Sequence, residues 1–182
     1  MKPYFIGVSG RSCSGKTTVT KDIETLFSDV ISINQDLFFK KKFDCEERPE
    51  ALMNDKLIEV IKKLKKGEEA YIPSKRKSEV FDKKIKPHKI IIVEGFLLFE
   101  NKKLSDSFDK KIWVDVSDEN IISRRIERRG SSEKIDNIIN QIIPISKEYE
   151  EIQRKRADII IDGNKSKKEI LEEVKKQIEI SL

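Results

Sequence analysis

Residues 10–17 read Gly10-Arg11-Ser12-Cys13-Ser14-Gly15-Lys16-Thr17, a complete G-x-x-x-x-G-K-[ST] loop, and this stretch decides the fold. Before it, Tyr4-Phe5-Ile6-Gly7-Val8 is short, aromatic and β-branched, as a buried parallel strand requires. After it, Thr18 to Phe27 places Val19, Ile23, Leu26 and Phe27 on one helical face. A strand that turns through such a loop straight into a helix is a phosphate cradle. Gly10 and Gly15 let the backbone turn its N–H groups inward, and the helix N-terminus adds positive potential. Lys16 can reach β/γ oxygens of a bound phosphate chain, and the Thr17 hydroxyl can ligate Mg²⁺. The amides of Ser12, Cys13, Ser14 and Thr18 complete the candidate nucleotide site.

Working outward, Val30-Ile-Ser-Ile33 is a second strand ending in Asn34-Gln35-Asp36. Pro49 to Lys66 reads as a helix with an apolar stripe of Leu52, Leu57, Val60, Ile61 and Leu64, stopped by Gly67. Lys89-Ile-Ile-Ile-Val93 is an unbroken apolar strand ending at Glu94-Gly95, and Lys111-Ile-Trp-Val-Asp-Val116 is another. Ser117 caps a helix running to about Arg129, Gly130 to Ile135 is polar, and a long helix is expected over Asp136 to Arg156 despite Pro144. Ala157-Asp-Ile-Ile-Ile161 is the last strand, and Ser166 caps a terminal helix with Ile170, Leu171, Val174 and Ile178 turned inward. Five short apolar strands alternating with helices predict an α/β fold, a parallel sheet covered on both faces. Ligands of such sheets bind beyond the C-terminal strand ends. That rule gathers the 10–17 loop, Asp36 and Glu94 into one place.

The chain has 182 residues, enough for one domain that buries a sizeable core without metals or disulfides. Two cysteines, Cys13 and Cys45, are too few for a disulfide framework, and no leader or spanning run precedes the first strand, so a reducing cytoplasm is expected. The net charge of +5 invites a nucleic-acid partner, but 33 acidic residues stand against 38 Lys and Arg. Aromatic residues are not interleaved with the lysines as a stacking platform needs, so solvated helix faces account for the charge better. Catalysis must run without histidine, because His88, the single one, falls in the turn before the third strand.

Asp36-Leu37-Phe38-Phe39 after a strand and Glu94-Gly95-Phe96-Leu97-Leu98-Phe99 resemble the uridine kinase and nicotinamide riboside kinase family of P-loop kinases. The resemblance covers nearly the whole chain, including Pro49-Glu-Ala-Leu52 and the arginines 124, 125, 128 and 129. It implies the P-loop NTPase fold, ATP and Mg²⁺ as cofactors, and a ribonucleoside as the small-molecule substrate. By the same resemblance Asp36 is the general base at the acceptor hydroxyl and Glu94 joins Thr17 at the Mg²⁺ site. Phe38 or Phe39 stacks on the base, and Glu47 holds the ribose hydroxyls with Asp44 and Glu46 as rivals. By the same resemblance Arg124, Arg125, Arg128 and Arg129 open a lid over about residues 124–136, Arg125 and Arg129 as catalytic and Arg124 and Arg128 as nucleotide-binding residues, although spacing alone leaves open which of them meets phosphate. The Tyr71-Ile-Pro-Ser-Lys-Arg76 stretch lacks the histidine with which uridine kinases read a pyrimidine, so the base is undetermined. Rival readings are another small alcohol as acceptor, or a nucleotide-switched module associated with nucleic acid.

Overall fold

The protein's structure, a computed structural model, is described for residues 2–129 and 135–180, with the side chain of Arg129 outside the description. Strand β1 (Tyr4–Ser9) runs through the middle of a sheet, paired in parallel with β5 (Ile90–Gly95) and with β6 (Lys110–Asp115). β2 (Val30–Asn34) adds to β5, and β7 (Ile159–Asp162) adds to β6, giving the order β2-β5-β1-β6-β7. All five are parallel, as their apolar character predicts, because both faces are covered. Alternate residues of one strand therefore enter different cores: Phe5, Ile91 and Val93 on one side, Ile6, Ile90 and Ile92 on the other.

α1 (Lys16–Leu26) and α8 (Lys167–Glu179) cover the second face with Val19, Ile23, Ile170, Val174 and Ile178. Ser166 caps α8 with Glu169 in a reciprocal box, as the sequence predicts. α2 (Asn54–Lys65) covers the first face with Leu57, Val60, Ile61 and Leu64. The helix expected from Pro49 is shorter than the stripe suggested. Pro49–Ala51 forms only a 3₁₀ turn, and Leu52 is extended and bridges to Phe39, with Met53 N–H donating to Phe38 O at 2.8 Å. Tertiary pairing with the segment after β2 takes those backbone groups away from the helix.

Two antiparallel strands, β3 (Ala70–Pro73) and β4 (Phe81–Ile85), form a hairpin separate from the main sheet that the sequence did not announce. Ala70, Ile72 and Ile85 anchor it in the core beside α2, while Asp82, Lys83 and Lys84 of β4 face solvent and mask its alternation. A short α3 (Lys102–Ser105) follows β5, and α4 (Asp118–Arg129) follows β6. The long helix expected before β7 is broken into α5 (Ile135–Asn137), a π-helical stretch (Ile138–Ile142), α6 (Ile143–Glu148) and α7 (Glu150–Arg156), the last two divided at Tyr149. Pro144 supplies no N–H and its ring crowds the carbonyl four residues back, and the wider π turn directly before it lets the path continue. Of the polar segment expected at Gly130 to Ile135, residues 130–134 lie outside the described residues.

Candidate functional site

A cleft of about 470 Å³ opens at the C-terminal ends of β1, β2 and β5. Its floor is the loop between β1 and α1. Cys13 (φ 67°) and Gly15 (φ 92°) adopt left-handed backbone, and Ser14 N–H donates to Arg11 O at 3.1 Å, which closes the turn. Gly15 does this at little cost, whereas the non-glycine Cys13 carries strain of about 1 kcal/mol or more. Gly10 has a different reason. A Cβ there would lie 2.7 Å from the Val114 carbonyl of β6, so the loop leaves β1 pressed against its neighbour. Lys16 is almost buried, and its Nζ donates to Arg11 O at 3.2 Å. Ser12, Cys13, Gly15, Thr17 and Thr18 line the cleft with it, while Gly10 and Ser14 support the loop from behind.

Thr17 Oγ1 donates to the Glu94 carboxylate, 3.0 Å from each oxygen. Glu94 ends β5 in register with Asn34 of β2 and is 3% exposed. Burial pushes its carboxyl above the ordinary value and the nearby Asp36 adds to that, against the opposing pull of Lys16 and Thr17. Asp36 stands on the 3₁₀ turn Gln35–Phe38 directly after β2, where its N–H donates to Asn34 Oδ1 at 2.6 Å. Gln35, the residue before Asp36, ties that turn to β5. Its Oε1 accepts from Leu97 N–H at 3.2 Å and its Nε2 donates to Asn54 Oδ1 at 3.1 Å. It also presses on Gly95 so closely that a Cβ there would meet Gln35 Oε1 at 2.2 Å. The two carboxylates are thus held on elements laced to each other.

The aromatic pair after Asp36 divides. Phe38 does not reach the cleft: it is fully buried and meets Phe81 of the hairpin edge-on at 6.0 Å, so of the two it is the one that packs in the core. Phe39 lines the cleft wall, stacked on Phe96 at 5.9 Å with 17° between the planes. Glu46 and Glu47 also line the cleft; Asp44 is exposed and does not. Glu47 is 8% exposed, and burial raises its carboxyl above the usual range although Arg125 Nη1, 3.3 Å away, opposes the shift.

That contact corrects one expectation. Arg125 is buried and turned to Glu47 rather than lining the cleft, whereas Arg124 and Arg128, one turn apart on α4, line it. Arg124 also donates to Gly163 O at 2.8 Å and to Cys13 O at 3.5 Å, joining α4 to the floor loop and to the turn after β7. The side chain of Arg129, expected to be catalytic, lies outside the described residues. Arg76 of the hairpin loop lines the cleft and was missed, as was Arg11 in another role. Arg11 is buried, donates to Val116 O and Asp118 Oδ1, and pairs with Glu150 at 3.4 Å; Lys147 joins Asp118 from α6. The floor loop is thereby tied to the helices on both sides of residues 130–134.

A floor loop with a lysine, paired hard-oxygen donors beside it, and a separate carboxylate one strand away can hold a phosphate chain next to an alcohol and take the alcohol's proton. The chain matches the Phosphoribulokinase / Uridine kinase family over residues 5–168. A uridine kinase of Chlamydia pneumoniae is 36% identical over 187 residues, covering 90% of this chain and 83% of that protein. A uridine kinase of Staphylococcus aureus (strain JH9) is 38% identical over 188 residues, covering 90% and 89%. The solved structure of a possible uridine kinase from Bacillus stearothermophilus superposes with a TM-score of 0.63 over 89% of this chain and 90% of that one, and at 20% identity that likeness bears on the fold alone. Among the described residues no helix is long and apolar enough to cross a membrane.

Proposed function

The chain belongs to the phosphoribulokinase/uridine kinase family, and from that footing we propose that it transfers the γ-phosphoryl group of ATP to the 5′-hydroxyl of a ribonucleoside, with uridine or cytidine ahead of nicotinamide riboside as acceptor. The observation that carries this reading is that Asp36 and the Thr17–Glu94 pair share one cleft with Lys16. In it, Lys16 and the amides of Ser12, Cys13 and Gly15 hold the β- and γ-phosphates, while Ser14 and Thr18, whose N–H groups donate to Arg11 O and Gly15 O, shape the loop around them. Arg124 and Arg128 add charge from the lid, with Arg129 beside them in sequence.

The Thr17 hydroxyl and the Glu94 carboxylate are oxygen donors that suit a hard divalent cation, and phosphate oxygens and water complete such a shell. Mg²⁺ held there would neutralise charge that develops on the transferring group. Asp36 orients the acceptor hydroxyl and takes its proton late, as a loose phosphoryl-transfer transition state allows. Glu47 accepts hydrogen bonds from the ribose hydroxyls while Arg125 holds its carboxylate in place. The 182 residues act as one kinase domain with a lid at about residues 124–136, working in cytoplasmic nucleoside salvage.

The test is a coupled assay of ADP release with Mg²⁺ and ATP, offering uridine, cytidine, nicotinamide riboside, adenosine and pantothenate separately, with the product identified by mass. A ribonucleoside 5′-monophosphate is the expected product. Phosphorylation of pantothenate alone, or of none, would sink the reading.

A further inference from the structure

The acceptor end of the cleft contains a cation with an unusual seat. The Arg76 guanidinium lies over the Phe39 ring, 4.1 Å from its centroid, and Arg76 Nη2 is 2.9 Å from Glu46. The other Glu46 oxygen takes Lys77 Nζ at 3.0 Å, and Lys77 itself sits over Phe43. Two cations thus share one carboxylate, and the group carries a net positive charge where the segment after Asp36 forms the wall. Burial would raise the Glu46 carboxyl, but its bonds to Arg76 and Lys77 outweigh that and hold it below the usual value, so it stays ionised and keeps Arg76 in place. The hairpin loop is fixed as well: Ser74 N–H and Oγ both donate to Asp82 at 3.0 Å, and Lys41 N–H donates to Glu79 at 2.7 Å.

Phe39 is 2% exposed between its neighbours, so it has almost no ring face to offer a base. The Arg76 side chain is 39% exposed, and that planar group is what an incoming ring meets there. A guanidinium carries five N–H donors in one plane and no acceptor, so beyond its bond to Glu46 it suits carbonyl oxygens and unprotonated ring nitrogens. It repels a ring with a fixed positive charge. The other charged groups near this wall do not reverse the sign. Glu47 is paired with Arg125, and Asp36 is committed to the hydroxyl in the proposed reaction.

We infer that Arg76, stacked on Phe39 and held by Glu46, selects the acceptor's base, admitting an uncharged carbonyl-bearing ring such as a pyrimidine and rejecting a pyridinium such as that of nicotinamide riboside. This rests on the ribonucleoside kinase reading above.

The experiment compares wild type, Arg76→Gln and Arg76→Glu in steady-state kinetics on uridine, cytidine and nicotinamide riboside, with the KM for ATP measured alongside. Wild type is expected to favour the pyrimidine nucleosides. Arg76→Glu shifts the ratio of kcat/KM toward nicotinamide riboside by about tenfold or more, Arg76→Gln by less, and both act through the acceptor KM rather than that of ATP. Arg76→Gln adds no charge against Glu46 and keeps the test open should Arg76→Glu fold poorly. A wild type that prefers nicotinamide riboside, or variants that keep the wild-type ratio within about twofold, overturns the role of Arg76 and leaves the ribonucleoside kinase standing. A wild type that phosphorylates no ribonucleoside removes both.

Discussion

At the end of the cleft that the proposed reaction gives to phosphate, most of the surface comes from one run, Ser12 to Thr18, and backbone shapes it: left-handed turns at Cys13 and Gly15, and Gly10 pressed on the Val114 carbonyl. At the acceptor end, Asp36, Phe39, Glu46, Glu47 and Arg76 come from a 3₁₀ turn, an irregular segment and a hairpin loop, and side-chain pairs hold them together. The first surface depends on one local conformation and tolerates little change anywhere along it. The second is assembled pair by pair, so single residues can alter which molecule fits without disturbing how phosphate is held.

Replacements at each end test that division. Lys16→Met should lower kcat by about a thousandfold or more on every acceptor alike. A loss confined to one acceptor would break the comparison, because the phosphate end would then be reading the substrate. Asp36→Asn should lower kcat about 10²- to 10⁴-fold while the affinity for ATP, measured by calorimetry, is kept. Normal turnover in that variant would leave the acceptor end without its base.

Arg125→Met strands the buried Glu47 carboxyl and should cost about 3 kcal/mol in urea unfolding, the low end for such a pair because Glu47 is already pushed toward its protonated form. The acceptor KM should rise with it; an increase in the KM for ATP alone would move Arg125 to the other end. Gly10→Ala forces a methyl group against Val114 O and should destabilise the fold by about 1–3 kcal/mol, with the loss of turnover shared by all acceptors.

The smallest effect concerns Glu46. Its folded carboxyl is held below 4.5, so its contribution is full above that value and is lost as pH falls through the lower folded value. For so exposed a group this amounts to under about 1 kcal/mol, read as a Glu46→Gln difference in melting temperature that vanishes at low pH. A difference that grew on acidification would contradict the pairing with Arg76 and Lys77.

The sequence exposed one end of the site more fully than the other, for physical reasons. The strands beneath the cleft are mostly apolar because both faces of the sheet are covered, and the rule that ligands bind at strand ends then brings Asp36 and Glu94 to the loop without any knowledge of packing. Spacing on α4 puts Arg124 with Arg128 and Arg125 on the adjoining face, but the direction in which either face points is set by Glu47 and Gly163, both distant in sequence. Adjacent phenylalanines carry no mark of which enters the core. The hairpin that delivers Arg76 hides behind the lysines of β4, whose exposed positions outnumber its buried one. Gln35 would have required knowing that Gly95 lies under it.

The ties of Arg11 have a further consequence for ionic strength. Arg11 is 5% exposed where it meets Asp118 and Glu150, themselves 27% and 24% exposed, whereas Arg76 and Glu46 meet at 39% and 35%. At about 1 M salt the screening length falls to roughly 3 Å, which weakens exposed pairs far more than sheltered ones. Added salt should therefore loosen the hairpin loop from the acceptor wall well before it frees the floor loop from the helices beside it, so that the enzyme becomes less choosy before it becomes less able.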